Sequence, residues 1–255
     1  MPGGGTVLEK RVIEIGISRN AVPFGQLTPL ELVRDLPDVP VLSETLLLME
    51  LKVRDRAVDL REISQLVLGD LGAVIQIMRL AAREDASAEC RPTRIEDCIS
   101  GLGLLACVEA MSKQTVKRRN RPPAIVEAWT HAQVIAQYCR ILAEENRISA
   151  SPDEAFLVGL LHGIGSLPEV LGWDWTNQLF GDPDLAGLKM AEAWSLPACV
   201  VAYFSELRPL PKPNRWTEIV ERAHLQASLH VEDRATEGLS PLEKPSPAWM
   251  QLVSL

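Results

Sequence analysis

The chain has 255 residues, of which 47% are hydrophobic and 24% charged, and its formal charge is −8 at pH 7. This composition is typical of a globular protein with a substantial core, and the acidic charge argues against general binding of nucleic acid. No apolar run approaches the roughly 18 residues of a membrane span, and the first residues lack the features of a signal peptide. We therefore expect a cytoplasmic protein that has no membrane partner and for which nucleic acid is a disfavoured partner.

The cysteines are odd in number and scattered along the chain: Cys90, Cys98, Cys107, Cys139 and Cys199. A structural zinc site would need closely spaced pairs, which these positions do not offer. We favour buried free thiols in a reducing compartment.

Residues 1–27 form an N-terminal arm of mixed character. The segment Val7–Ile17 has the β-branched content of a strand, yet it could equally be an extended segment that lies on the domain or on a partner. The glycines and prolines that follow favour irregular chain.

Helix-start patterns then predict a series of short helices up to residue 116. Thr28-Pro-Leu-Glu31 and Asp59-Leu-Arg-Glu62 have the spacing of capping boxes, and Ser43 is the expected cap of a helix that ends near Val53. Apolar residues recur at helical spacing in the segments that follow, without strand-like alternation. This half of the chain is therefore predicted to be a helical bundle.

A basic segment separates the two halves. Its cations are Lys117, Arg118, Arg119 and Arg121, and two prolines follow. Cations suit the negative end of a helix and prolines stop one, so we favour a junction between helices. A basic patch for a phosphate-bearing ligand or an acidic partner is the alternative.

The second half contains the most apolar segment of the chain. A long helix is predicted from Ile125 to Asn146, with Trp129 and His131 near its start. Ser151 is then the expected cap of a helix whose apolar part runs from Ala155 to about Leu167. Because an element that is apolar on all sides is buried, we place this helix at the centre of the domain.

Three further helices are predicted after it, at about residues 186–194, 198–206 and 216–231. Asp182 and Asp184 flank a proline, which indicates a helix-start turn rather than a pair of catalytic carboxylates. Residues 233–255 form a C-terminal tail with an apolar end. Docking of this end on the domain and docking on another chain both stay open.

Six residues of the central segment resemble a known signature. Leu160-Leu-His-Gly-Ile-Gly165 is similar to the Leu-Leu-His-Asp-Ile-Gly sequence of the HD metal-dependent phosphohydrolase superfamily, with Gly163 where the defining aspartate stands. His162 then matches the second histidine of that superfamily. His131 matches the first histidine, which the superfamily places on an earlier helix.

The order of the preceding segments resembles the HDOD domain, a relative of the HD superfamily found in bacterial signalling proteins. The resembling segments are Leu36–Pro40, Leu60–Ala73, Ile75–Ala81 and Ile95–Gly103. The resemblance spans residues 28–232 and implies an all-α fold. In that fold an N-terminal bundle of about five short helices (28–120) packs on an HD-like helical C-terminal half (121–232).

The HD superfamily pairs its histidines with two aspartates, and this chain does not supply them at the expected positions. Gly163 has no side chain, and residues 226–228 on the last helix are not acidic. His224 and His230 are six residues apart, about 240° around a helix, so we do not expect them to face one site together. At most two neutral ligands, His131 and His162, then remain, which is too few for a catalytic metal.

We therefore predict no metal, no cofactor and no catalytic residue. His131, His162 and Trp129 are candidates for a degenerate ligand pocket, with the two histidines partly buried and hydrogen-bonded to backbone or to each other. Neither a P-loop nor a Gly-x-Ser-x-Gly elbow offers another catalytic centre.

The function predicted from these observations and from the resemblance is a non-catalytic signalling or scaffold module. It would bind protein partners of a signalling pathway, with a small ligand in the degenerate pocket as a further option. A homo-oligomer formed through the arm or the tail is also an expectation. The alternative is a divergent metal-dependent phosphohydrolase acting on a nucleotide or cyclic dinucleotide, and a weaker option is nucleotide or nucleic-acid binding by the basic segment without chemistry.

Overall fold

The structure is a computed structural model that describes the greater part of the chain. The described residues are 36, 38–54, 59–84, 91–113, 115–116, 123–145, 149–173, 182–206 and 215–236, with the side chains of the last range described up to residue 229. The expectations for the arm at residues 1–27, the helix start at Thr28, Cys90, the basic segment and the tail beyond residue 236 lie outside these ranges.

Short helices dominate the N-terminal half, as predicted. Its elements are β1 (Val41–Leu42), α1 (Ser43–Val53), α2 (Leu60–Leu68), α3 (Leu71–Glu84), α4 (Ile95–Leu102), α5 (Leu104–Met111) and β2 (Thr115–Val116). The two strands have only two residues each and pair in parallel, with Val41 opposite Thr115. The pair thus connects the segment before α1 with the segment after α5.

The C-terminal half contains the longest described helices. Its elements are α6 (Pro123–Glu144), α7 (Pro152–Leu161), a 3₁₀ turn (Ile164–Ser166), α8 (Leu167–Val170), α9 (Pro183–Ala193), α10 (Ala198–Glu206) and α11 (Arg215–Thr236). The predicted all-α fold is confirmed. The last helix continues beyond the expected end at residue 231 because residues 232–236 contain neither glycine nor proline.

The predicted central helix is shorter than expected. Helix α7 ends at Leu161, and the chain turns at His162 and Gly163 before the 3₁₀ turn. Gly163 and Gly165 follow this end, and glycine is one of the weakest helix formers. His162 therefore lies at the end of a buried helix rather than within it.

The helix-start predictions had mixed outcomes. Asp59 and Asp182 cap α2 and α9, each accepting a backbone N–H at 2.9 Å, as predicted. Ser43 does not cap α1: it is the first helical residue, and its hydroxyl donates to the carboxylate of Glu44. Ser151 stands at the cap position of α7, but its side chain makes no capping bond.

The start of α1 is instead held by a buried carboxylate from another element. Asp70, wholly buried, stands just before α3, and its Oδ1 accepts the N–H groups of Gly72 and Ala73 at 3.0 and 3.4 Å. Its Oδ2 accepts the N–H of Leu42 at 2.7 Å. One side chain therefore satisfies orphan donors at the starts of two helices.

Helices α6 and α7 touch through their backbones at Gly159. A Cβ on this residue would lie 2.7 Å from the Cα of Ala136 and 2.9 Å from the Sγ of Cys139. Glycine is therefore needed for the close approach of the two helices. Nearly all of α7 is buried beside this contact, as its all-round apolar sequence predicted.

Both halves share one hydrophobic core. Its buried members run from Leu36 at the entry to the bundle to Ala223 on α11. A polar bond also crosses the boundary, since the side-chain amide of Gln133 on α6 donates to the carbonyl oxygen of Leu68 at 2.7 Å. The N-terminal bundle and the C-terminal half are thus packed as one unit.

Cys98, Cys107, Cys139 and Cys199 are buried free thiols, as predicted. Burial raises the pKa of Cys107 to about 11 and that of each of the other three to about 12. These thiols therefore stay protonated and unreactive at neutral pH.

Among the described helices, none is by itself long and apolar enough to cross a membrane. Helices α2 and α3, which meet at a bend of 117°, reach the required length and composition only as a pair.

The close approach at Gly159 predicts a sharp contrast between two glycines. Replacing Gly159 with alanine should lower the free energy of unfolding by about 1–3 kcal/mol, because the added methyl group presses on backbone atoms of α6. Replacing Gly163 with alanine should change it by less than about 0.5 kcal/mol, since nothing lies within 4 Å of a Cβ at that position. Urea denaturation of both variants checks the contrast, and equal stabilities would contradict the close contact.

The buried carboxylate predicts a second contrast. Asp70→Ala should destabilise the protein by about 2–4 kcal/mol, because three N–H groups lose their acceptor. Asp59→Ala removes an exposed cap with a single bond and should cost only about 0.5–2 kcal/mol. Thermal unfolding of the two variants measures the difference, and a smaller loss for Asp70→Ala than for Asp59→Ala would refute the bridging role.

Candidate functional site

Three histidine rings meet where α6, the end of α7 and α11 come together. The ring centroids of His131 and His162 are 5.5 Å apart, those of His131 and His224 are 4.9 Å apart, and those of His162 and His224 are 5.1 Å apart. One ring nitrogen from each residue lies within 4.8 Å of the others. We call His131, His162 and His224 the histidine cluster.

Helix packing brings the three residues together. His131 is on α6, His162 follows the last residue of α7, and His224 is on α11. Helix α6 packs on both of the other helices, and the Sγ of Cys139 contacts the carbonyl oxygen of Ile219 at 3.9 Å. Helix α6 therefore contacts both of the other helices that carry a histidine of the cluster.

One ring of the cluster is held in a fixed orientation. The Nδ1 of His162 lies 2.7 Å from the carbonyl oxygen of Gly159. A carbonyl oxygen only accepts, so Nδ1 carries the proton and Nε2 keeps a free lone pair. The expected hydrogen bond from a histidine to backbone is therefore present at His162.

The cluster favours neutral imidazoles. The pKa of His162 is lowered to about 4, chiefly by burial and also by the positive charges that His224 and His131 would carry when protonated, while the hydrogen bond to Gly159 acts in the opposite direction. Burial also lowers the pKa values of His131 and His224. All three rings are thus biased toward the unprotonated form at neutral pH.

Sequence reasoning missed His224. Helix geometry does place His224 and His230 on different faces of α11. The prediction that neither residue belongs to the site was nevertheless wrong for His224. Val220 and Ala223 are buried, and His224 is one turn after Val220. This apolar pattern on α11 was the signal that His224 faces the domain.

The other candidate residues do not join the cluster. Trp129 is buried, and it precedes His131 by two residues, about 200° around α6, so it faces away from the histidines. Its indole Nε1 has no hydrogen-bond partner in the described part of the protein. Lys117, Arg118, Arg119 and Arg121 lie outside the described residues.

The cluster does not fit the carboxylate-rich metal site that the HD resemblance implies. Within the described ranges, no aspartate, glutamate or cysteine joins the three histidines. At Gly163, where the HD signature has aspartate, the space around a Cβ is open. The missing carboxylate is thus a property of the sequence, because the fold leaves room for one.

A groove of about 1200 Å³ runs between the N-terminal bundle and the start of α7. Its walls include Leu60, Arg61, Val134, Arg140 and Phe156. The guanidinium of Arg140 lies 4.5 Å over the ring of Phe156 and 3.1 Å from the carboxylate of Asp153. The groove is therefore lined by apolar and charged side chains together.

The lowered pKa of His162 predicts a pH-dependent stability. The folded state resists protonation that the unfolded chain accepts near pH 6.5, so the contribution is complete above that pH and is lost as the pH falls toward about 4. The loss should be on the order of 3 kcal/mol. Urea unfolding of metal-free protein between pH 7 and pH 4 measures it.

A matched variant isolates this effect. His162→Asn cannot gain a charge, yet its amide can still donate toward Gly159, so its stability should fall less over the same pH range. An identical pH profile for the two proteins would assign the pH dependence to other groups.

Comparisons with known proteins agree with this architecture. The HDOD domain family matches residues 39–171, slightly more than half of the chain. A crystal structure of the MmoQ response regulator from Methylococcus capsulatus, fragment 20–298, covers 86% of this chain and 92% of its own, with 19% identity and a TM-score of 0.56. A second MmoQ structure at 2.4 Å resolution covers 84% and 94%, with 18% identity and a TM-score of 0.56.

At these identities the likeness to MmoQ establishes a shared fold alone. No curated protein matches the chain. The family match covers β1 through α8 and includes His131 and His162. It confirms the resemblance found in the order of the sequence segments, and the chain belongs to the HDOD domain family.

Proposed function

We propose that this HDOD protein is a non-catalytic signalling or scaffold module of the bacterial cytoplasm that works through protein–protein contacts. The observation that carries the proposal is the make-up of the histidine cluster. Three neutral ligands and Gly163 stand where the HD superfamily combines histidines with aspartates. Without carboxylates the cluster lacks the groups that bridge two cations and balance their charge.

Exposed apolar surface supports the contact role. Leu47 and Leu51 lie one turn apart on α1, and 56% and 53% of their surfaces are exposed. Leu48, beside them, is also exposed. Grouped apolar side chains on a surface mark sites of protein interaction. The fold neighbour MmoQ is named a response regulator, which agrees with a signalling role.

A divergent phosphohydrolase is the competing function. Three protein ligands with one open position is the minimum of a catalytic zinc site, and the cluster offers three imidazole nitrogens. The proposal therefore depends on a direct test of hydrolysis.

Hydrolysis of bis-p-nitrophenyl phosphate, nucleotides and cyclic dinucleotides tests the catalytic half of the proposal. With Mn²⁺, Mg²⁺ or Zn²⁺ added, the wild-type chain and His162→Ala should show the same rate as buffer containing the metal. Turnover by the wild-type chain that disappears in His162→Ala would overturn the non-catalytic function. A contaminating enzyme would leave equal activity in both preparations.

Affinity capture from bacterial lysate tests the contact half. Proteins retained by the wild-type chain should be lost with Leu47→Ser and Leu51→Ser combined, because the apolar patch becomes polar. Leu229→Ser on α11 changes an equally exposed leucine elsewhere and should retain them. Equal capture by all three proteins would remove α1 as the contact surface.

A further inference from the structure

The histidine cluster has the donor chemistry of a mononuclear metal site. Its ring nitrogens lie within 4.8 Å of one another, whereas nitrogens bound to one tetrahedral zinc ion are about 3.3 Å apart for bonds of about 2.0–2.1 Å. Small side-chain rotations would close this difference, since His131 is exposed and His224 only partly buried. The three helices therefore need no rearrangement to present three ligands.

We infer that His131, His162 and His224 bind one divalent cation of the zinc class, such as Zn²⁺, Co²⁺ or Ni²⁺. This site goes beyond the proposed signalling function, because binding of a cation requires neither a partner nor a reaction.

The ligand type sets the preference among cations. Imidazole nitrogens suit zinc and its neighbours in the first transition row, while Mg²⁺ and Mn²⁺ prefer carboxylate and water oxygens. The described cluster contains no carboxylate. The preference is thus opposite to that expected of a carboxylate-rich site.

The hydrogen bond of His162 is independent support. Histidines that bind metals usually donate their second ring N–H to a carbonyl or carboxylate, which fixes the tautomer and aims the free lone pair at the ion. The Nδ1 of His162 and the carbonyl oxygen of Gly159 have this arrangement at 2.7 Å. The free Nε2 is then the ligand atom.

The placement of the ligands gives the ion a structural effect. His131 lies on α6, His162 directly follows α7, and His224 lies on α11. A bound ion would therefore link these three helices. Because the ion binds the folded state, it should also raise the unfolding temperature. Because His131 is exposed, the ion can reach the cluster from solvent.

Cobalt titration of the metal-free full chain tests the site. Co²⁺ in four-coordinate geometry absorbs visible light strongly, and in six-coordinate geometry only weakly. We expect one equivalent of Co²⁺ to give the strong absorption and Zn²⁺ to abolish it by displacement. Weak absorption, or saturation far from one equivalent, would overturn the inference.

Two histidines on one helix provide the matched variants. His224→Ala should weaken Co²⁺ binding by more than about tenfold, because even groups that only hydrogen-bond to a ligand cost 10- to 100-fold in metal affinity. His230→Ala, six residues further along α11, should bind as the wild-type chain does. Equal affinity for all three proteins, or equal weakening by both variants, would refute the site.

Thermal unfolding provides a second readout. Zn²⁺ should raise the Tm of the wild-type chain and of His230→Ala, but not that of His224→Ala, while Mn²⁺ and Mg²⁺ at the same concentration should have no effect. A larger shift with Mn²⁺ than with Zn²⁺ would contradict the proposed class of ion. Far-UV circular dichroism establishes that each variant is folded. Phosphoester hydrolysis by the zinc-loaded chain would overturn the proposed function and leave the metal site standing.

Discussion

The backbone contact between α6 and α7 at Gly159 is the constraint on which the functional half depends. A side chain at this position would occupy the same space as Ala136, so glycine fixes the distance between the two helices. The carbonyl group of the same residue accepts the hydrogen bond from His162. One glycine therefore sets the separation of the helices that carry His131 and His162 and also orients one of the two rings.

The sequence predicted most of the fold because its signals are local. Capping by Asp59 and Asp182 depends only on residues of the same segment, and both caps are present. The start of α1 was wrongly attributed to Ser43 because the group that satisfies Leu42 is Asp70, on a different element. The residues around Ser43 could not indicate this contact, because Asp70 is 28 residues from Leu42 in the sequence.

The site was harder to predict for the same reason. His131 and His162 came from a resemblance to a family, which assigns residues by their place in a motif. His224 has no counterpart in that motif, and it reaches the cluster only through the packing of α11 on α6 and α7. Its chemistry also differs from the motif, since an imidazole carries no negative charge. A site of three histidines therefore offers nitrogen donors and no carboxylate, which changes the cations and reactions that it can support.

The hydrogen bond between Gln133 and Leu68 lies close to the histidine cluster along α6. Gln133 is two residues from His131, about 3 Å along the helix axis. The side-chain amide of Gln133 donates to the carbonyl oxygen of Leu68, the last residue of α2, at 2.7 Å. The first turns of α6 therefore carry one of the three histidines and also a polar contact with the end of α2, so the helix that positions His131 is itself held by the N-terminal bundle.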